Sequence, residues 1–399
     1  VIRLSIALFL VQAGFHGFTA SIPVALARAG RPDAEIGALV GIAALVQIGG
    51  ALVGGALIDR FGQMRLFMAG GLLYLAAAAI LFVFGLDTTP AVVAARILQG
   101  AAGGLAVPAS MALVPSLVPA ARRGTAIAAV GSAHNLTLVL LPPLSIFLLD
   151  LYGMSGVCLA VGLFVITALA IVVARPIRRG DTTVSNLAAA SRRFGFAYRR
   201  SWLGPLAIVV LFVLHWGVVT AYLPQRAEAA HADIALFFAA DGVGVLAMRL
   251  PAGWLADRIA PIGPVVGGIV MTFLAVLLLF DPPTTPVLIV SGLLTGVGAA
   301  LIVQPLLLAI TARSADADRG SAFAIFNASF SASIALGSLG TAPLIGSVGY
   351  ATLLAVALGA LALSAVVALF DPDLRRPANL ADDSVEAVEL AGEANAVSP

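Results

Sequence analysis

The sequence predicts an all-α integral membrane protein of twelve transmembrane helices in two parallel-repeat six-helix halves. Three observations carry that reading. Of 399 residues, 61% are hydrophobic and 11% charged, whereas a soluble domain carries about 25% charged residues. The apolar residues form runs of roughly 20, enough to cross a bilayer core as helix, without the apolar–polar alternation of barrel strands. Short motifs of the first half recur in order in the second, at offsets of 201, 198 and 196 residues.

Charges and Pro/Gly punctuation bound the spans. The first, 3–24, starts at Arg3 and lacks a small-residue cleavage site, so a retained helix is expected rather than a signal peptide. The second, 35–58, ends where Asp59 and Arg60 open the charged stretch Gly55 to Arg65, read as a tight aqueous turn with Gly62 at positive φ. The third, 66–86, stops at Asp87; the fourth, 90–115, begins and ends on a proline. The fifth, 124–149, lies between Arg123 and Asp150, and the sixth, 153–174, between Gly153 and Arg175. Seven arginines and a Thr-Thr-Val-Ser-Asn centre mark 175–200 as a cytoplasmic linker, either solvated or resting on anionic headgroups. The second half repeats the pattern with spans 201–223, 234–256, 264–280, 286–311, 320–345 and 351–370. Residues 1–174 and 201–370 are thus the two six-helix halves, and the acidic tail 371–399, which has no core-forming pattern, is expected to be disordered.

The repeat is carried by three pairs. Thr19-Ala20-x-x-Pro23 returns as Thr220-Ala221-x-x-Pro224, Gly55-x-x-x-Asp59-Arg60 as Gly253-x-x-x-Asp257-Arg258, and Arg123-Gly124-x-Ala126 as Arg319-Gly320-x-Ala322. All 22 basic residues are arginine. Placing the 55–65 turn in the cytoplasm puts seventeen of them on that side and only Arg28, Arg31 and Arg226 opposite, with Arg96 and Arg249 within spans. Positive-inside asymmetry then predicts cytoplasmic termini. Cys158, the single cysteine, removes disulfides and cysteine-based metal sites.

The turn Gly55-x-x-x-Asp59-Arg60-x-Gly62-x-x-Arg65 resembles the loop between helices 2 and 3 of the major facilitator superfamily, with Met64 where a second basic residue is usual. Arg96-Ile-Leu-Gln99-Gly100 is similar to the R-x-x-Q-G pattern of its proton-coupled members. Arg249-Leu-Pro251-Ala-Gly253 leading into Asp257-Arg258 resembles helix 8 of bacterial exporters. Helix 5 departs: where drug/proton antiporters show a glycine-rich run, this chain reads Leu140-Leu141-Pro142-Pro143-Leu144-Ser145. The resemblance implies alternating access in a bacterial inner membrane, with Gly55, Asp59, Arg60, Gly62, Arg65, Arg249, Asp257 and Arg258 as gating residues. From the residues alone, Asp59 is expected near the start of the third helix, against the positive end of its dipole; a purely structural turn would use the same residues.

Intramembrane polar groups mark a candidate substrate and proton pathway, because each is costly unless paired or facing water. These are Gln12, His16, Arg96, Gln99, His134, Asn135, His215, Trp216, Tyr222, Asp241 and Asn327. At ~1.5 Å per residue from the outer helix ends, Arg96 lies about 9 Å deep, Asp241 about 10 Å, and His16 and His215 about 12 Å. Gln12 stands one turn from His16. Histidine, Asn and Gln in such places also serve as interhelical hydrogen-bonding groups, and Trp216 and Tyr222 as interfacial anchors. Asp241, beside Gly242 and Gly244, is the acidic group furthest inside a span and the expected protonation site, its proton affinity set by whether water or Arg96 faces it.

The favoured function is proton-coupled export of a small organic molecule; the alternative is an uptake symporter in which Arg96 binds a substrate carboxylate, and a non-transporting receptor stands behind both. The scattered histidines and the absence of H-E-x-x-H or an aspartyl dyad argue against an enzyme, and the lack of G-x-x-x-x-G-K-[ST] against an ATP-driven pump. Protons, a small solute and lipid are the expected partners of a monomer. No cofactor, metal or nucleic acid is expected.

Overall fold

The computed structural model describes residues 2–114, 117–118, 123–174, 200–256, 259–314 and 319–375, and among them the only regular structure is helical. In chain order the helices are α1 (Ile2–His16), α2 (Ser21–Arg28), α3 (Asp33–Phe61), α4 (Gln63–Phe84), α5 (Thr89–Leu113), α6 (Arg123–Ala174), α7 (Leu203–Ala229), α8 (Ile234–Ala256), α9 (Ile262–Leu277), α10 (Thr285–Ala312), α11 (Arg319–Ser338) and α12 (Ile345–Phe370). Short 3₁₀ turns occupy Arg200–Trp202 and Pro372–Arg375. Helix is the only state that satisfies so apolar a backbone in lipid. Leu72, Phe82, Leu159 and Phe370 are among many large apolar side chains left exposed for lipid to cover.

Among the described residues, eight segments are long and apolar enough to cross a membrane, while Ile234–Met248 and Ile262–Leu277 are shorter. The helix labels do not count spans. The predicted span 3–24 is interrupted: α1 ends at His16 and the chain tightens into i→i+3 bonds, from Phe18 N–H to Phe15 O (3.1 Å) and from Thr19 N–H to His16 O (3.3 Å). Pro23 has no N–H for the Thr19 carbonyl and its ring crowds that position, so the helix loosens one turn before it. Pro224, its repeat mate, lies inside an unbroken α7, a difference the sequence does not explain. The predicted spans 124–149 and 153–174 meet in α6, which Gly153 breaks with φ 64° and ψ −170°.

Two boundaries need correction. The 55–65 stretch is not an extended turn: α3 continues through Phe61, α4 begins at Gln63, and Gly62 at φ 85° is the one non-helical residue between them. Asp59 therefore stands in the last turn of α3, at the negative rather than the positive end of a helix dipole. The eleventh predicted span, 320–345, is also too long. α11 ends at Ser338, and residues 339–344 form turns because Pro343 disfavours helix in the residue before it.

α1 packs on α6, α3 and α4 on α5, α8 on α10, and α7 on α11 and α12. Small residues set these seams. A Cβ on Gly104 of α5 would lie 2.7 Å from the Gly50 Cα of α3, and one on Gly337 of α11 would lie 3.0 Å from the Gly217 Cα of α7. Such approaches let helices associate through dispersion where lipid supplies no hydrophobic drive. Between α1–α6 and α7–α12 the contacts run from α2 and α3 to α7 and α11, and from α6 to α8.

Candidate functional site

α1, α4 and α6 bring three polar side chains into one chain, buried at Tyr74 and Gln12 and half-buried at His134. The Tyr74 hydroxyl donates to Gln12 Oε1 at 3.3 Å, and Gln12 Nε2 lies 3.2 Å from His134 Nδ1. With the Gln12 oxygen taken by the phenol, its amide N–H is the donor, so His134 Nδ1 accepts and the neutral ring carries its proton on Nε2. The rings of His134 and His16 meet edge to face at 5.6 Å. His16 is 6% exposed, and neither of its ring nitrogens has a hydrogen-bond partner. Glycines make room for Tyr74: a Cβ on Gly14 of α1 would overlap its ring, and one on Gly103 of α5 would come 3.0 Å from its hydroxyl.

Arg96 belongs to a different unit. Its Nε donates to Leu39 O and one terminal nitrogen to Val40 O, each at 2.8 Å, while the other donates to Gln99 Oε1 at 2.9 Å. The guanidinium, 3% exposed, thus fastens α5 to α3 through carbonyl dipoles. Among the described residues no ion pair joins it to Asp241. Asp241 lies in α8 where Gly242 meets Val139 of α6 and Gly244 meets Leu293 and Val297 of α10, and a Cβ on Gly296 of α10 would run into the Asp241 carbonyl.

On α7, His215 Nδ1 donates to Phe212 O, which leaves Nε2 as a buried acceptor without a partner. Its ring neighbours Phe212 and Trp216, and Trp216 stacks at 25° on Phe237 of α8 with Phe238 edge-on. Tyr222 is a packing clip, its hydroxyl bonded to Ser338 O (2.9 Å) and Thr341 Oγ1 (3.0 Å) and pressed against Gly37 of α3. Asn327 is half-buried on α11 and engaged with neighbours. The side chains of Asn135, Asp59 and Arg249, the surroundings of Gly55, and both Asp257 and Arg258 lie outside what is described; Arg60 has its guanidinium carbon 5.3 Å from the Phe61 ring centroid, and Arg65 is exposed.

One feature absent from the sequence reading ties α2 to α7. Arg28 pairs with Asp150 of α6 at 2.6 Å and with Glu228 of α7 at 2.8 Å. Close by, Arg31 donates to Glu35, Thr89 and the carbonyls of Leu86 and Asp87, binding the ends of α3, α4 and α5. Sequence reasoning counted these arginines only as topology signals; their distance from the arginine-rich stretches was the available clue.

The sequence profile described as Major Facilitator Superfamily matches residues 4–231 and 206–392, nearly the whole chain. The chain belongs to the major facilitator superfamily. Solved structures of superfamily architecture overlay on most of it. A peptide transporter in complex with alafosfalin has a TM-score of 0.74 at 15% identity over 94% of this chain and 95% of its own. A D-xylose-proton symporter has 0.74 at 18% identity over 94% and 98%. At such identities the likeness shows the fold. A probable actinorhodin transporter of Streptomyces coelicolor is 34% identical over 99 residues, which cover 25% of this chain and 17% of that protein. In a superfamily of membrane transporters, a polar chain buried among lipid-spanning helices is a candidate solute or ion site rather than a catalytic one.

Proposed function

We propose that the chain is a secondary active transporter working by alternating access, and that it exports a small organic molecule in exchange for protons. The observation that carries this is the hydrogen-bonded chain Tyr74–Gln12–His134 with His16, both of whose ring nitrogens are unmatched, at its end, held in membrane helices by a superfamily transport fold. Such groups are retained against a desolvation cost when they meet a solute or an ion. Proton exchange is favoured by Asp241, a carboxylate within α8 beside the glycine seams to α6 and α10, where water entry on rocking would change its affinity for a proton. Export is favoured by the resemblance of Arg249-Leu-Pro251-Ala-Gly253 leading into Asp257-Arg258 to helix 8 of bacterial exporters. The uptake alternative, with Arg96 binding a substrate carboxylate, is disfavoured because three of its donors are committed to Leu39, Val40 and Gln99.

On this reading residues 1–174 and 201–370 are the moving halves of a twelve-span monomer, joined by the 175–200 linker, in a bacterial inner membrane with cytoplasmic termini. The Arg28–Glu228 pair then closes the outer end, and the Gly55–Arg65 stretch with its second-half counterpart governs the inner one. Proteoliposomes loaded with a candidate solute test the coupling. An imposed pH gradient should drive accumulation by the wild type, and Asp241→Asn should abolish that accumulation while leaving solute exchange without a gradient intact. Gradient-driven accumulation that survives the substitution rules Asp241 out as the coupling site.

A further inference from the structure

Resting on the transport reading, we propose that the Gln12–His16–Tyr74–His134 cluster is the subsite that selects the solute, and that it takes an uncharged hydroxyl or carbonyl group. Geometry shows an unfinished site. Tyr74, Gln12 and His134 satisfy one another in series, whereas His16, the end member, is more than nine-tenths buried with both ring nitrogens unmet. A neutral imidazole presents one N–H and, pointing away from it, one lone pair; a hydroxyl can meet either of them, and a carbonyl can accept at the N–H. Placement sets His16 apart from an ordinary helix-interior residue: it closes α1 immediately before the tightened turn 17–20, so the helix ends at the one ring of the cluster that lacks partners.

Charge decides the class. No arginine, aspartate or glutamate is bonded to the cluster among the described residues, and Arg96 is turned to the carbonyls of α3. A carboxylate entering this site would surrender its water without gaining a cation, whereas a hydroxyl or carbonyl exchanges like for like. The specificity expected is therefore for neutral oxygen-bearing molecules over acids of the same skeleton. A buried polar group left unpaired weakens binding about ten-fold or more, and discrimination of that order is expected.

The test is thermal stabilisation of the purified full-length protein by matched compound sets: 2-naphthol, 2-naphthoate and naphthalene, and cyclohexanone, cyclohexanecarboxylate and cyclohexane. Stabilisation at concentrations about ten-fold lower for the alcohol or ketone than for its acid and hydrocarbon is expected. His16→Phe and Gln12→Leu should each remove that preference, and His16→Gln, which keeps a donor and an acceptor, should retain it. Stabilisation led by the carboxylates overturns the proposal, and so does a preference that survives His16→Phe or the absence of any stabilisation, which would leave water as the cluster's occupant. Counterflow of the bound compound in vesicles separates the two readings. Binding without flux removes the transport function and leaves the site, while flux indifferent to His16→Phe removes the site and leaves the transport function.

Discussion

At the scale of single residues, the fit of Tyr74 is the most exacting. Its ring fills the space of the missing Gly14 side chain and its hydroxyl sits above Gly103, so the polar chain depends on two glycines of other helices. Gly14→Ala is expected to cost about 1–3 kcal/mol by overpacking, read as a lower midpoint in thermal unfolding followed by tryptophan fluorescence. Tyr74→Phe should cost a similar amount for another reason, since it leaves the Gln12 oxygen buried without a donor. If Gly14→Ala unfolds at the wild-type temperature, the ring is free to shift and the chain is not fixed by packing. Gln12, His16 and His134 were legible as polar atoms in apolar runs, and the one-turn spacing of Gln12 and His16 put them together. Tyr74 was missed because it was read as part of an apolar span. The signal was present, however: it is the one phenol in 66–86, and a phenol within a membrane helix needs a partner. That the partner lies 62 residues away depends on which faces of α1 and α4 meet, which no local pattern states.

At the scale of helices, the seams rest on glycine against glycine. Gly337→Val would force a side chain against the Gly217 Cα and the Val218 nitrogen, parting α7 from α11. A loss of about 1–3 kcal/mol is expected, whereas Gly346→Ala, where nothing lies within 4 Å of the added carbon, should stay within about 0.5 kcal/mol. Equal unfolding temperatures for the two variants would show that the seam has slack. Many helix ends were readable because charge and proline placement mark where an apolar run stops. Helix interruptions and merges were not. Pro23 breaks its span and Pro224 does not, so a proline states that a hydrogen bond is missing but not how the neighbours absorb the loss. Residues 55–61 read as turn because they carry charge, yet α3 extends past its apolar limit until Gly62 releases it.

At the scale of the molecule, arginine placement makes a topological prediction. In a Cys158→Ala background, a cysteine in place of Glu228 should react with an impermeant maleimide in intact cells, and one in place of Asp181 should not. Reaction at 181 would invert the orientation. The contacts from α2 and α3 to α7 and α11 lie at the Glu228 end, with Gly37 and Gly41 of α3 seated on Tyr222 and Leu339. This cross-chain closure was hidden from the sequence because each of its residues has a local use as well, as a helix end or an interfacial aromatic.

The break between α1 and α2 divides the first apolar segment into two arms. α2 is 8 residues long, an arm of about 12 Å, with its fulcrum at residues 17–20. Arg28 at its tip is gripped by Asp150 and Glu228, and His16 stands directly on the other side of the fulcrum. A continuous helix would carry a pull on Arg28 along its axis as rigid translation. At a bend, part of that pull would act across residues 17–20 instead, where the bonds from Thr19 Oγ1 to Phe15 O and from Ser21 Oγ to Gly17 O brace the backbone.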